Sequence, residues 1–318
     1  MRKHRVLLYT AVFILSGCRG GSTASSNGLT VTLSSSNAAK AAELSMTAPS
    51  AVMSFMEGFS SDIPTDVVTD IEARTTARQA GIAARMSASR EEEACDGGGK
   101  IITDQTDTQF ILTFENCTES ENIAATDNTP AYSSTNITNG TITFADSTVD
   151  GYPEAEMVSF NLTDSSTTSD GEEEAITEQG SFITGYSDTG YIIKNMNMSI
   201  SNRGRTSTGT NYNYSIATQD FSITVDGQAG TQTLMGKVTS HGTDESGEAM
   251  LEGTFMVETT SPVDFDQTMG EYKITGANAS TVITRLDPAG IYVEINGESP
   301  TFYAWDDTDA YFSGQTLP

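Results

Sequence analysis

From Lys100 onward, apolar residues fall at every second position, in runs separated by turn-forming residues. Phe110, Leu112 and Phe114 alternate with polar or smaller neighbours, and Val158, Phe160 and Leu162 do the same. The pattern returns at Phe221, Ile223 and Val225, at Leu251, Phe255 and Val257, and at Ile291, Val293 and Ile295. Ile192, Met196, Met198 and Ile200 share one face, with Lys194 the exception. A side-chain period of two is that of a β-strand, and apolar-in, polar-out alternation marks antiparallel strands with one wet face. Asp188-Thr189-Gly190, Asp226-Gly227, Glu245-Ser246-Gly247 and Asn296-Gly297 separate the runs as hairpin turns. The spacing predicts about twelve strands in sequential hairpins. Short connections place sequence neighbours side by side. The expected fold is therefore mainly β: a long, curved antiparallel meander sheet, with a β-sandwich as the alternative. The acidic stretch from Asp164 to Glu178 reads as an exposed loop between two long strands.

Before Cys95 the period differs. Leu29, Val31 and Leu33 alternate like a short first strand, and Asn37 to Met46 is alanine-rich. Val52, Phe55, Met56 and Phe59 then form one helical stripe. Thr65 and Asp66 cap a second helix toward Arg90, with Val68, Ile71, Ile82 and Met86 on a thin apolar face. Glu91 to Glu93 would sit badly at a helix C-terminus, where the dipole favours cations, so the helix ends before them. These helices are the natural cover for the apolar face of the sheet. The expected organisation is a signal peptide over 1–17, a lipidated cysteine and tether over 18–28, a strand and helical region over 29–94, and a β body over 95–318. Residues 29–318 form one domain.

Cys95 and Cys117 flank two strand-like runs whose turn centres on Thr106, the midpoint of the pair. A hairpin folded there brings the two cysteines opposite one another, and a disulfide over such a loop is worth roughly 3 kcal/mol. Pairing also suits an exported, oxidising setting.

Export itself is expected from the first eighteen residues. Arg2, Lys3 and Arg5 precede the apolar run Val6 to Leu15, and Leu15-Ser16-Gly17-Cys18 follows. That is the plan of a secretory signal, and the run is too short to cross a hydrocarbon core of about 30 Å. Leu-Ser-Gly-Cys resembles the lipobox of bacterial lipoproteins, which implies acylation of Cys18 and attachment to a membrane of the cell envelope. Arg19 stands where an inner-membrane retention signal would usually place Asp, which implies the outer membrane. Gly20 to Gly28 reads as a flexible tether spanning roughly 17 Å. No later run is long and apolar enough to span a bilayer.

The chain carries 16 Lys and Arg against 43 Asp and Glu, a net charge of −27. Such a surface repels phosphate backbones, which excludes nucleic acid as a partner. Catalytic motifs are absent from the sequence: no Gly-x-Ser-x-Gly elbow, phosphate-binding glycine loop or His-Glu-x-x-His. His241, the one histidine left after signal cleavage, reads as a surface residue beside Gly242. Calcium is the one metal considered, at Asp306, Asp307 and Asp309 beside Trp305 and, more weakly, at Asp104 and Asp107. Neither cluster has the EF-hand pattern. Tyr186, Tyr191, Tyr212, Tyr214, Phe302 and Tyr303 read as sheet packing pairs, with a ligand groove as the alternative.

Cys95-Asp96-Gly97-Gly98-Gly99, Phe114-Glu115-Asn116-Cys117, Asn139-Gly140-Thr141-Ile142 and the strands from Gly270 to Gly297 resemble a loose group of uncharacterised proteobacterial lipoproteins. The resemblance implies a lipid anchor, N-terminal helices and a β-rich body, and no activity. The expectation is a non-enzymatic binding or structural role at the outer membrane, with no cofactor and with a lipid or envelope protein as partner. Two alternatives stand beside it. One is a carrier of lipid or another apolar ligand, analogous in fold to periplasmic lipoprotein carriers of the LolA and LolB type, with Met53, Met56, Met196 and Met198 lining a cavity. The other is a carboxylate-dependent hydrolase.

Overall fold

The structure is a computed structural model that describes residues 28–46, 89–106, 108–123 and 132–312, with side chains as far as Thr308. Cys18, Met53, Met56, Asp107 and the side chain of Asp309 lie outside the described residues, as do the helical stripe at 52–59 and most of the second expected helix.

A single 15-stranded antiparallel sheet makes up the body. An edge hairpin pairs β1 (Ser89–Ala94) with β2 (Lys100–Gln105). Six long strands follow: β3 (Gln109–Ile123), β4 (Tyr132–Asp146), β5 (Glu154–Thr168), β6 (Glu173–Ser187), β7 (Gly190–Arg205) and β8 (Asn211–Asp226). The sheet continues through β9 (Thr231–Thr243), β10 (Gly253–Ser261), the two-residue β11 (Val263–Asp264), β12 (Gly270–Thr275), β13 (Thr281–Asp287), β14 (Gly290–Ile295) and β15 (Thr301–Ala304). Order in space follows order in sequence, except that β11 leaves the path to pair with β9. Among the described residues β1 and β15 remain unjoined edges, so the meander is open and there is no second sheet to make a sandwich.

Alternation decides which face is buried. Phe110, Phe144, Val158 and Phe182 are directly opposed across β3–β6, and all are nearly sealed from solvent. One hydrophobic cluster runs from Val31 to Val293 and includes Ala38, Ala41, Ala42 and Leu44 from the helix of residues 38–46. That short helix therefore lies on the apolar face, as the sheet's need for cover predicts. Leu29, Val31 and Leu33 are buried alternately, yet the segment runs extended without a strand ladder. It is clipped on by Thr30 and Val31 N–H groups donating to the Thr254 carbonyl, and by Leu33 N–H donating to Ser280 Oγ at 2.9 Å.

The sheet bends where strands carry an extra residue. Register shifts occur at Phe114/Cys117, at Ile193/Met196 and at Gln219/Ser222. In each the extra residue includes an Asn or Asp with positive φ: Asn116 at 51°, Asn195 at 52° and Asp220 at 51°. Short polar side chains tolerate this left-handed region, and bulges of this kind increase local bend and twist.

Two expectations are revised. Arg90, expected at the end of the second helix, and Glu91 to Glu93, expected just past it, form β1, paired residue for residue with β2. A hairpin partner outweighs weak strand propensity, and three carboxylates along an edge discourage pairing with another sheet. Asp164 to Glu178 is not a loop. Asp164 to Thr168 completes β5, Glu173 to Glu178 opens β6, and only residues 169–172 turn. Its Thr and Ser residues suit an exposed ladder that continues past the apolar core.

Candidate functional site

The long strands extend beyond the apolar belt, and at that end the inner face turns polar. Cross-strand register places Ser166, Glu174, Gly204 and Tyr212 in one row and Asp164, Ile176, Asn202 and Tyr214 in the next. Asn202 is 2% exposed. Its Nδ2 donates to Glu174 Oε1 at 2.7 Å and to Tyr214 Oη at 3.1 Å, while its Oδ1 is buried without a partner. Tyr212 and Tyr214 stack with ring centroids 6.3 Å apart. The Tyr212 ring lies across Gly204, where any side chain would collide with its hydroxyl.

The loop between β9 and β10 closes over this end. Asp244 Oδ1 accepts from Ser246 N–H at 2.9 Å, Ser246 Oγ at 2.6 Å and Glu248 N–H at 3.0 Å, forming a tight Asx-type turn. Glu248 lies 3.4 Å from Lys40, tying the loop to the helix of residues 38–46. Burial pulls the Lys40 ammonium below its ordinary range, against the opposing attraction of Glu248.

Glu245 rides on this turn, half-buried. Burial first, then the charges of Glu174, Glu172 and Asp244, push its carboxyl up to about 7. Burial also raises Glu174, partly offset by the Asn202 amide. Both tyrosines are held above their ordinary range, chiefly by burial. The arrangement can hold a proton near neutrality on one of two electrostatically linked carboxyls.

The residues singled out from the sequence are dispersed. Cys95 and Cys117 stand at disulfide distance, Cα–Cα 5.4 Å. Here Gly97 N–H donates to the Thr118 carbonyl and Thr118 N–H to the Gly98 carbonyl, both at 2.8 Å, binding the β1–β2 turn to β3. Gly99 has φ +76° and a Cβ there would collide with the Asn116 carbonyl, so glycine is a steric requirement at this position. Met196 is 0% and Met198 8% exposed, both packed in the core. Asp306 and Asp307 occupy the first turn of the helix Trp305–Phe312, where the helix dipole favours them. Among the described residues no group of three or more His, Cys, Asp or Glu is arranged to hold a metal. His241 lies on the opposite, outer face, 2.7 Å from Glu252. Tyr186 and Tyr191 are cross-strand partners, as are Tyr292 and Phe302, whose rings are 4.9 Å apart.

Glu174, Asn202 and Glu245 were not foreseen. A signal existed: Asn202 falls in step with Met196, Met198 and Ile200, a polar residue on an apolar face. No family model, curated protein sequence or solved structure matches the chain. No helix among the described residues is long and apolar enough to cross a membrane.

Proposed function

We propose that the chain is a lipid-anchored protein of a bacterial cell envelope, held at the outer membrane through Cys18, whose β body binds a partner rather than carrying lipid. The observation behind this reading is the packing of the inner face. A carrier needs that face as a vacant cavity, yet Phe110, Phe182, Met196, Phe221 and Phe255 are each under 2% exposed. Two depressions are open at the surface: one of about 570 Å³ is bounded by Thr32, Leu33, Asn278, Ser280 and Asn296, the other of about 390 Å³ by Gln179, Asn197, Met198, Ser199 and Thr218, so Met198 borders the second and Met196 borders neither.

A carboxylate hydrolase is the second reading, favoured by one observation: Glu174 and Glu245 both titrate above their ordinary range and repel one another. Neither carboxyl bounds either depression, and an amide already occupies Glu174. This supports binding over turnover.

The test is metabolic labelling with an alkyne palmitate, followed by membrane fractionation. The wild type labels and pellets with membranes, and Cys18→Ser loses the label and turns soluble. Label that persists in Cys18→Ser, or never appears in the wild type, refutes the anchor. A stoichiometric lipid-sized mass on the intact protein in native mass spectrometry, resistant to delipidation of the membrane fraction, would restore the carrier.

A further inference from the structure

The outer face of the sheet is as distinctive as the inner one. One row of directly paired, outward residues runs from Thr113 through Thr141, Asn161, Gln179 and Ser199 to Ala217, and then to Thr239 on β9. The next row is Asn139, Thr163, Thr177, Ser201 and Ser215, ending at His241. A third runs from Thr118 through Ile137, Ser165, Ala175 and Arg203 to Asn213 and Thr243, and Arg203 is the one Lys or Arg in the three rows. None of the three rows contains an Asp or Glu, in a chain that has 43. Asn161, Thr163, Ser165, Thr177, Gln179 and Ser201 are exposed, so none of the described residues covers the centre of the field. Seven strands about 4.8 Å apart, with rows two residues apart, make it about 30 Å by 14 Å.

The side chains are also pre-positioned. Gln179 Nε2 donates to Ser199 Oγ at 3.2 Å, Asn139 Oδ1 accepts from Asn116 N–H at 2.7 Å, and Thr239 and Thr254 hydroxyls bond at 2.8 Å. The depression of about 390 Å³ opens at the edge of the field, where the bulges at Asn195 and Asp220 displace β7 and β8. Asn197 braces it, accepting from Asp220 N–H at 3.0 Å and donating to the Asn195 carbonyl at 2.9 Å. It is shallow and open to solvent.

Chemistry narrows the occupant. Nucleic acid needs Lys and Arg along its phosphates, and the field has one Arg. Protein interfaces concentrate Tyr, Trp, Phe and Met and are poor in Ser, and these rows hold no aromatic residue and no Met. A lipid surface needs apolar contact. A second copy brings another strongly negative body. A polymer dense in hydroxyls matches an array of neutral donors and acceptors, and from β4 to β8 these rows offer it one, with the carboxylates of Glu115 and Glu252 standing at the two ends.

We propose that the outer face of β3–β9 is a docking surface for an uncharged glycan chain, with one sugar seated in the depression beside Gln179, Asn197 and Ser199. The proposal extends the binding reading above by naming the partner's chemistry, and it does not depend on the lipid at Cys18. Contacts are individually weak hydrogen bonds in competition with water, so binding to a single short oligosaccharide is weak and retention comes from many contacts along a chain.

The purified intact lipoprotein in mild detergent is co-sedimented with chitin and with cellulose particles. The wild type sediments with at least one of them. Thr163→Glu combined with Ser201→Glu places two carboxylates in the exposed centre of the field and cuts retention about tenfold, the loss expected from a few hydrogen bonds and added desolvation. Gln228→Glu with Ala229→Glu, in the β8–β9 turn away from the field, retains wild-type sedimentation and controls for net charge. Circular dichroism confirms that each variant folds. The proposal is overturned if the wild type sediments with neither polymer, or if the central pair leaves retention unchanged. It is also overturned if that pair abolishes a concentration-dependent dimer seen by analytical ultracentrifugation, since the occupant is then a second copy. None of these results touches palmitate labelling at Cys18, so failure here and failure of the anchored-protein reading are separable.

Discussion

Glu245→Gln isolates the most perturbed carboxyl of the polar end. In the folded chain Glu245 titrates at about 7, driven first by burial and then by Glu174, Glu172 and Asp244. In an unfolded chain a glutamate titrates near 4.3. A carboxyl whose folded value is raised contributes its full stability below about pH 4 and loses it as pH rises through about 7, because the unfolded state ionises first. Taken at face value that gap corresponds to roughly 4 kcal/mol. Glu245 is only half-buried, and solvent screening reduces the figure to about 1–2 kcal/mol between pH 5 and pH 8. Gln keeps the shape and cannot ionise, so the wild type weakens relative to Glu245→Gln as pH rises. The assay is urea unfolding at pH 5, 6, 7 and 8, read by circular dichroism and by the fluorescence of Trp305, the only tryptophan. Self-repulsion of the strongly negative chain grows with pH in both proteins and cancels in the difference. Parallel curves would falsify the reasoning, as would a variant that loses ground at high pH. Glu174→Gln in the same background separates mutual repulsion from burial: if repulsion contributes, the wild-type slope shrinks when Glu174 is neutralised.

Replacing Cys95 and Cys117 by Ala removes a cross-link over a sequence separation of 22 and lowers stability by about 3 kcal/mol; reductant lowers the wild type equally and leaves the variant unchanged. Phe255→Ala empties a fully buried position between β9 and β12 and costs about 3–5 kcal/mol, read as a fall in urea midpoint at unchanged slope. Gly242 holds φ +105° opposite Tyr214, and a Cβ there would collide with the Asn213 carbonyl. Gly242→Ala loses about 1–3 kcal/mol, and a neutral result would mean that the strand does not run as described there.

The apolar half of every long strand was legible from sequence because burial on one side writes itself as a period of two. Phe110, Leu112 and Phe114, or Val158, Phe160 and Leu162, leave no other reading. The hairpin about Thr106 was legible for the same reason, and it brought Cys95 to Cys117. The polar halves were not. From Asp164 to Thr168 and from Glu173 to Glu178 both faces are mostly polar, so no apolar contrast marks the alternation, although the backbone ladder continues unbroken through Ile176. β1 was hidden similarly, since a glutamate run gains its strand conformation from its partner and not from its own propensity.

Both functional candidates arise from this invisible part of the pattern, for a physical reason. Which residues share a face of a sheet depends on register, and a slip of one residue exchanges the faces. Glu174 meets Asn202 only because Ile176 pairs with Asn202, and Glu245 joins them only because Tyr214 pairs with Gly242 and starts the β9–β10 loop at that end. Thr163, Thr177 and Ser201 are unremarkable as single residues. They become one uncharged surface only once three registers align them and send the neighbouring acids, Asp164 and Glu178 among them, to the other face. Composition alone describes a uniformly acidic protein. Register divides it into an acidic inner end, where carboxyls are forced together and one keeps its proton near neutrality, and a neutral outer field. A chain that merely needed solubility would gain nothing by keeping carboxylates off the centre of this outer face. That segregation is the strongest reason to look for a partner there, and Thr163→Glu with Ser201→Glu is the change that asks the question directly.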